Sequence, residues 1–350
     1  MLNNLKARVV EYISLTKDIV SRISIGKLNK ELLDMWYTYA DKLKNLAETN
    51  FKLGVYHFER GYLNDAIFRF KLLKIFCDKY PASNYYLARC YIEKFKYERA
   101  AIFLSHYFAS GDSAFASESK YCKKLISNEL GSIVSLPGSI VAHNLDKLAY
   151  NYIENSKVSP VDCSLSEFEI LENIVKVSEK PFGNNILHIG SKLGRVGRLC
   201  RSERIADVIN GIEVSKAMCK IAATMMHENV RIYTHIGLSR SFEDYFKSLA
   251  LYSGVQYDIV ILSDILSYLL DVESVLSSLN PLLHSKSLVL ISFEKSSGKT
   301  PVFIRQTERF THNAQSIKSI AEGNGLTLLD ESENKVSGSQ KIGIMVFSKA

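Results

Sequence analysis

The chain has 350 residues, of which 47% are hydrophobic and 23% are charged, and its formal net charge at pH 7 is +7. This composition is ordinary for a soluble globular protein, and the length allows two domains. The N-terminus lacks the apolar stretch that a signal peptide needs. The most apolar run, 257–270, is interrupted by Asp264 and is too short to span a bilayer. We therefore expect a cytoplasmic protein that does not enter a membrane.

The net positive charge lies entirely in the first part of the chain. Residues 1–130 hold 21 Lys and Arg against 14 Asp and Glu, whereas residues 131–350 hold 23 of each. This asymmetry predicts two units with different partners. The basic part is either a solvated face or the surface that binds an acidic peptide or nucleic acid. The six cysteines form no C-x-x-C pair, which indicates reduced thiols rather than a metal or disulfide site.

A repeat of 34 residues lies within the first 130 residues. The corresponding positions are Leu53-Gly54 and Leu87-Ala88, Ala66 and Ala100, and Phe70 and Leu104. Small residues let paired helices approach closely, and the larger ones fill the space between them. The spacing resembles the tetratricopeptide repeat, which implies a helical domain over residues 1–130 that recruits a protein partner. Two repeats need flanking helices, which we expect at 32–50 and 116–130.

A change of pattern follows this helical part. Turn residues and a polar stretch predict a linker over 131–164 that contains a helix at 141–152, and an amphipathic helix is predicted over 165–180. Strands and helices then alternate, which predicts a mainly parallel sheet covered on both faces over residues 165–350. The predicted strands are 186–189, 206–212, 230–234, 257–262 and 287–293, followed by an edge hairpin of 327–332 and 343–348. The predicted helices are 195–203, 216–226, 272–279 and 315–322.

A glycine turn follows the first of these strands. Gly190 and Gly194 would permit a tight turn and close approach of the backbone to a ligand at a helix N-terminus. Glu213 ends the second strand, where its carboxylate would accept both hydroxyls of a ribose. The turn and the acid together predict a nucleoside site at the carboxyl ends of the strands.

Residues 142–350 resemble the class I S-adenosylmethionine-dependent methyltransferases. The similarity rests on Ile186-Leu-His-Ile-Gly-Ser-Lys-Leu-Gly194, on Gly211-Ile-Glu-Val-Ser-Lys-Ala-Met218 and on the segment 257–269. Residues 142–150, 292–294 and 308–312 resemble a narrower group, the predicted methyltransferases with N-terminal tetratricopeptide repeats. The resemblance implies a Rossmann-like domain, S-adenosylmethionine as cofactor, and methyl transfer to an acceptor that the sequence does not identify.

The resemblance also implies which residues form the site. The implied cofactor contacts are His188, Gly190, Ser191, Lys192, Gly194, Glu213, Met218 and Asp264, with residues near Leu238 beside the adenine. The candidates for catalysis or for contact with the acceptor are Asp264, Tyr268 and His312. Asp264 would equally serve as a helix cap, and His312 as a local structural contact.

Two residues depart from the family pattern. Lys192 stands in place of the middle glycine of the loop, and His188 in place of an acid. The third strand also ends without an acid, at Thr234-His235. Each missing acid removes a charge-assisted hydrogen bond of about 1.5–3 kcal/mol. The Lys192 side chain would crowd the cofactor, point outward, or meet the cofactor carboxylate. The alternative to an enzyme is therefore a non-catalytic adaptor, in which the repeats bind a partner and the α/β domain is a degenerate scaffold.

Three further interpretations stay open. Gly190, Gly194 and Gly197 with Lys192 would also suit the pyrophosphate of a dinucleotide. Four arginines spaced three apart form either a solvated helix face or a phosphate or partner patch; they are Arg195, Arg198, Arg201 and Arg204. Methylation of nucleic acid would suit the basic half, but the sequence has no Asn-Pro-Pro-Tyr motif and no Pro-Cys pair.

Overall fold

The protein divides into two compact units, one that ends at Phe115 and one that begins at Ala116. The computed structural model describes residues 46–77, 80–154, 172, 176, 184–224, 230–234, 255–296, 298, 300–337 and 340–350. Residues 116–126, which we expected to cap the repeats, belong to the second unit. The predicted helix over 165–180 lies outside the described residues except at 172 and 176, and the segment near Leu238 lies outside them altogether.

The described part of the first unit is helical. Its helices are α1 (described over 46–59), α2 (Leu63–Phe76), α3 (Ala82–Glu93) and α4 (Tyr97–Ala109). A Cβ atom on Gly54 would lie 2.6 Å from the ring of Phe70, so glycine is what allows α1 to approach α2. Ala66, Ala100, Phe70 and Leu104 are all buried. The expected close approach of a small residue to a large one is confirmed for Gly54 and Phe70.

The backbone also repeats at an interval of 34 residues. Gly61 and Phe95 both adopt left-handed conformations, with φ of 80° and 56°, in the turns before α2 and α4. The same backbone hydrogen bonds close both turns, since the N–H groups of residues 62 and 96 donate to the carbonyls of residues 57 and 91. Phe95 therefore accepts a backbone conformation that glycine adopts without strain. The relation to the tetratricopeptide family stays a prediction.

The second unit is built around a seven-stranded mixed sheet. Its helices are α5 (Ala116–Ile126), α6 (Gly138–Glu154), α7 (Arg195–Ser202), α8 (Lys216–Thr224), α9 (Val272–Leu279) and α10 (Ala314–Gly323). Its strands are β1 (Asn184–Ile189), β2 (Ala206–Glu213), β3 (Val230–Thr234), β4 (Tyr257–Ser263), β5 (Leu283–Glu294), β6 (Val302–Ile304), β7 (Arg309–Thr311), β8 (Leu326–Ser337) and β9 (Gln340–Lys349). The predicted alternation of strands and helices is confirmed; the β6–β7 hairpin was not predicted.

The strand order is β3-β2-β1-β4-β5-β9-β8, and β6 and β7 form a separate two-stranded sheet. The first five strands are parallel, and β9 is antiparallel to β5 and to β8. This is a doubly wound, Rossmann-like arrangement, in which the chain leaves β1 in one direction for β2 and returns to its other side with β4. The mainly parallel sheet and the edge hairpin are therefore as predicted.

Strand register brings the ends of the central strands together. Ile189, near the end of β1, lies opposite Ile212 of β2 on one side and Leu262 of β4 on the other. Consecutive residues of the central strands β4 and β5 are buried, so both faces of these strands are covered, and Ile186, Ile259 and Leu290 belong to one buried cluster. The loops after β1, β2 and β4 consequently meet at one edge of the sheet. Within the described ranges, no helix is long and apolar enough to cross a bilayer.

Candidate functional site

The loop between β1 and α7 is a tight turn fastened to β2. Gly190 has a φ of 78°, and a Cβ atom there would collide with the backbone oxygen of Ser263. The N–H groups of Gly190 and Ser191 both donate to the carbonyl of Ile212, at 2.9 and 3.1 Å. Gly194, with a φ of 68°, is the N-cap of α7. The conformational reasons for glycine at 190 and 194 are therefore confirmed.

Glu213 is a buried carboxylate held by two backbone N–H groups. Oε2 accepts from the N–H of Lys192 and Oε1 accepts from the N–H of Ser215, both at 2.8 Å. Burial raises the pKa of Glu213, and these two hydrogen bonds partly offset that rise. Each carboxylate oxygen has two lone-pair directions, so each can accept one further hydrogen bond. The carboxylate is thus oriented at the pocket wall with capacity for a diol.

The side chain of Lys192 runs to the end of β4. Its Nζ lies 3.1 Å from Oδ2 of Asp264, and the two side chains are only 9% and 16% exposed. Burial by itself would raise the pKa of Asp264, but the positive charges of Lys192 and Arg309 outweigh it and hold that pKa well below its ordinary range. Asp264 is therefore ionised at neutral pH and pairs with two cations.

Arg309, on β7, is a member of this site that sequence reasoning missed. Its Nη2 lies 3.3 Å from Oδ1 of Asp264 and donates to Oγ of Ser267 at 2.8 Å, and its Nε lies 3.2 Å from Oε2 of Glu294. Burial by itself would lower the pKa of Arg309. The charges of Asp264, Tyr268 and Glu294 outweigh this effect and raise the pKa above its ordinary value, so the group stays charged. We call Lys192, Asp264, Arg309 and Glu294 the inner network. The only sequence signal for Arg309 was its place within the segment 308–312.

The helix α6, which we predicted as part of a linker, supports the same site. Oδ1 of Asp146 accepts from Oγ of Ser215 at 2.5 Å and from the N–H of Ala217 at 3.0 Å. Since Ser215 donates to Glu213, Asp146 fixes the turn that orients the carboxylate. Leu145, the preceding residue, lines the pocket. Asp146 was not predicted, because its partners lie 69 and 71 residues further along the chain.

Both histidines of the predicted site are hydrogen-bonded within the fold. Nε2 of His188 lies 2.7 Å from Oγ of Ser263, and burial, assisted by the charge of Lys192, lowers the pKa of His188 to about 3. His188 is thus neutral at pH 7 and connects β1 to β4. Nε2 of His312 lies 2.7 and 3.1 Å from the carbonyl oxygens of Leu266 and Leu269. Only a protonated Nε2 can contact two carbonyls, so this nitrogen cannot act as a base.

Five of the predicted site residues line one pocket; they are Gly190, Lys192, Glu213, Asp264 and Tyr268. Tyr268 is buried, and burial raises the pKa of its hydroxyl. Met218 instead packs in an apolar cluster with Leu193 and Ala149, so its predicted contact with an adenine has no support in this arrangement. The free space in the pocket is about 20 Å³, enough for about one water molecule. The carboxylate of Glu213 suits a ribose, and Lys192 is one of the side chains that line this small space.

No protein-family model matches the chain, and no curated protein matches it in sequence. Solved structures do resemble it. Magnesium protoporphyrin IX methyltransferase from Synechocystis PCC 6803, with bound SAH, is 15% identical, with a TM-score of 0.46 over 61% of this chain and 100% of that chain. The N-methyltransferase NodS from Bradyrhizobium japonicum WM9 is 13% identical, with a TM-score of 0.44 over 59% of this chain and 98% of that one. The [4+2]-cyclase SpnF is 12% identical, with a TM-score of 0.47 over 62% and 97%.

Proposed function

We propose that the second unit binds S-adenosylmethionine and transfers its methyl group to an acceptor, and that the first unit recruits a protein partner or substrate. The observation that carries this proposal is the geometry of Glu213. Its buried carboxylate stands at the end of β2, is oriented by an N–H of the glycine turn, and lines the pocket with acceptor capacity to spare. A ribose diol is the chemical group that such a carboxylate suits.

Different residues of the pocket would bind different parts of the cofactor. Glu213 would accept the ribose hydroxyls, and the ionised carboxylate of Asp264 would attract the positive charge of the cofactor. The cofactor, when bound, supplies a methyl group on a positively charged sulfur. The contribution of the protein is to hold the acceptor in line with that group and to exclude water. Because the pKa of Asp264 is low, it is a weak base, and we assign it binding and positioning rather than proton removal.

Calorimetric titration with S-adenosylmethionine and S-adenosylhomocysteine tests this function. We expect the wild-type protein to bind both, and Glu213→Ala to weaken binding at least tenfold, since a lost charge-assisted hydrogen bond costs about 1.5–3 kcal/mol. Glu203→Ala is the matched control because Glu203 is an exposed acid at the end of α7. Glu213→Gln serves if the alanine variant does not fold. Absence of heat and of a thermal shift at millimolar ligand would refute the proposal.

A second candidate function is a non-catalytic adaptor built on a degenerate scaffold. The observation in its favour is the free space of about 20 Å³ in a pocket that Lys192 lines with a buried ion pair. In that case the second unit would bind no nucleoside, and the basic first unit would bind the protein partner. NAD belongs in the same titration, since a lysine at a glycine turn would also suit a pyrophosphate. Binding of NAD alone would favour the dinucleotide interpretation.

A further inference from the structure

We infer that Lys192 is a built-in competitor for the positive charge of the cofactor. Its ammonium group pairs with the carboxylate of Asp264, and both residues line the pocket. A cationic ligand therefore has to displace the ammonium group before the ligand can pair with Asp264. This inference rests on the proposed function, because it concerns the same pocket. It assigns Lys192 the role of an affinity-determining residue.

The first support is where the side chain lies. Lys192 has a left-handed backbone conformation, with a φ of 49°, yet its side chain is almost completely buried. Lysine ordinarily keeps its ammonium group in water, and burial is tolerated when the charge is paired. Here Asp264 provides the pairing at 3.1 Å, and the two residues line the same small space. An internal cation is therefore paired with one of the two acids that line the pocket.

The second support is that the hydrogen bond that orients Glu213 does not depend on this side chain. Lys192 holds Glu213 through its backbone N–H, which every residue except proline retains. Asp264 keeps Arg309 as a partner at 3.3 Å, so its carboxylate remains ionised and paired when the lysine is removed. Shortening Lys192 would thus free Oδ2 of Asp264 and open the pocket, while the ribose-binding carboxylate stays in place. Competition by Lys192 is separable from the framework of the site.

The expected size of the effect follows from the populations of the two states. When a site is open for only a fraction of the time, the apparent dissociation constant is the intrinsic constant divided by that fraction. A closed form favoured by about 1.4 kcal/mol or more would weaken binding by a factor of about ten or more. We therefore expect Lys192→Ala to bind S-adenosylmethionine at least about tenfold more tightly than the wild-type protein.

The test is calorimetric titration of the full chain with S-adenosylmethionine, whose sulfonium is the positive charge that would compete with Lys192. Lys192→Ala removes both bulk and charge, and Lys192→Met keeps most of the bulk but removes the charge. Lys318→Ala, which removes a lysine at a half-buried position on α10, controls for the change in net charge. We expect both Lys192 variants to bind more tightly than the wild-type protein and the control to be unchanged. Lys192→Gly, which suits the left-handed conformation, replaces either variant that does not fold.

The outcomes separate this inference from the proposed function. If the wild-type protein binds and neither Lys192 variant binds more tightly, Lys192 is no competitor, while the proposed function stands. If only Lys192→Ala binds more tightly, bulk rather than charge obstructs the site and the inference as stated fails. If no form of the protein binds at millimolar ligand, the proposed function itself fails and the inference falls with it.

Discussion

Two clusters of oppositely charged residues in the second unit differ in how far they are exposed to water. The inner network of Lys192, Asp264, Arg309 and Glu294 is largely shielded from water at the carboxyl ends of the strands. We call the second cluster the outer network; it consists of Lys295, Glu331, Glu333 and Lys341 beside the β8–β9 hairpin. Glu294 and Lys295 are consecutive in the chain, yet they belong to different networks. One residue along the chain separates a buried ionic site from an ordinary surface.

The difference between the two networks is one of solvation. Water screens the charges of the outer network, so its pairs contribute little to stability. In the inner network each ion has lost water, and the loss is compensated only while every charge keeps its partners. Breaking one contact of the inner network should therefore lower the free energy of unfolding far more than breaking one contact of the outer network. The predictions that follow test this contrast.

The largest effect is expected for Asp264→Ala. It leaves Lys192 without the partner at 3.1 Å and removes one of the two carboxylates that face Arg309. Removing one partner of a buried ion pair typically lowers the free energy of unfolding by about 3–5 kcal/mol. Urea unfolding followed by circular dichroism measures the change, and Asp264→Asn, which keeps the shape, should lose less. A loss below about 1 kcal/mol would mean that the inner network is solvated like the outer one.

An intermediate effect is expected from the buried His188. Its pKa in the folded protein is about 3, whereas an unfolded histidine titrates near 6.5. Between these values only the unfolded chain takes up the proton, so the stability contributed by His188 falls as the pH is lowered below 6.5. From pH 7 to pH 5 we expect the wild-type protein to lose about 2 kcal/mol more than His188→Gln. Urea unfolding at the two pH values checks this, and equal losses would contradict it.

The smallest effect is expected in the outer network, for Glu333→Gln. Lys295 and Lys341 each lie 2.6 Å from this carboxylate, and their hydrogen bonds lower the pKa of Glu333 to about 2. Its contribution is present above the unfolded pKa near 4.3 and is lost as the pH falls toward 2. Because the group is exposed, we expect a small decrease in melting temperature at neutral pH that shrinks further with added salt. A decrease as large as that of Asp264→Ala would show that the outer network is not screened.

The regular elements of the second unit were predictable because their patterns are local. Val230–Thr234 and Val272–Leu279 have the predicted bounds, and most of the others agree to within two residues. The failures are local as well. The end of β8, at Ser337, was not predicted because three consecutive polar residues, Glu333, Asn334 and Lys335, interrupt the alternation that marks a strand. The three-residue strands β6 and β7 are too short for any periodicity.

The sequence by itself determined the glycine turn, the acid at the end of β2, and the 34-residue interval that recurs in the turns at Gly61 and Phe95. These features follow from backbone conformation and from patterns along one segment. The tertiary structure decided which way Lys192 points, a choice that the sequence left among three directions. Asp264 and Arg309 lie 72 and 117 positions further along the chain, and only the strand order brings their charges to this pocket. A buried ammonium group follows its counter-ions, and the position of counter-ions is a property of the fold.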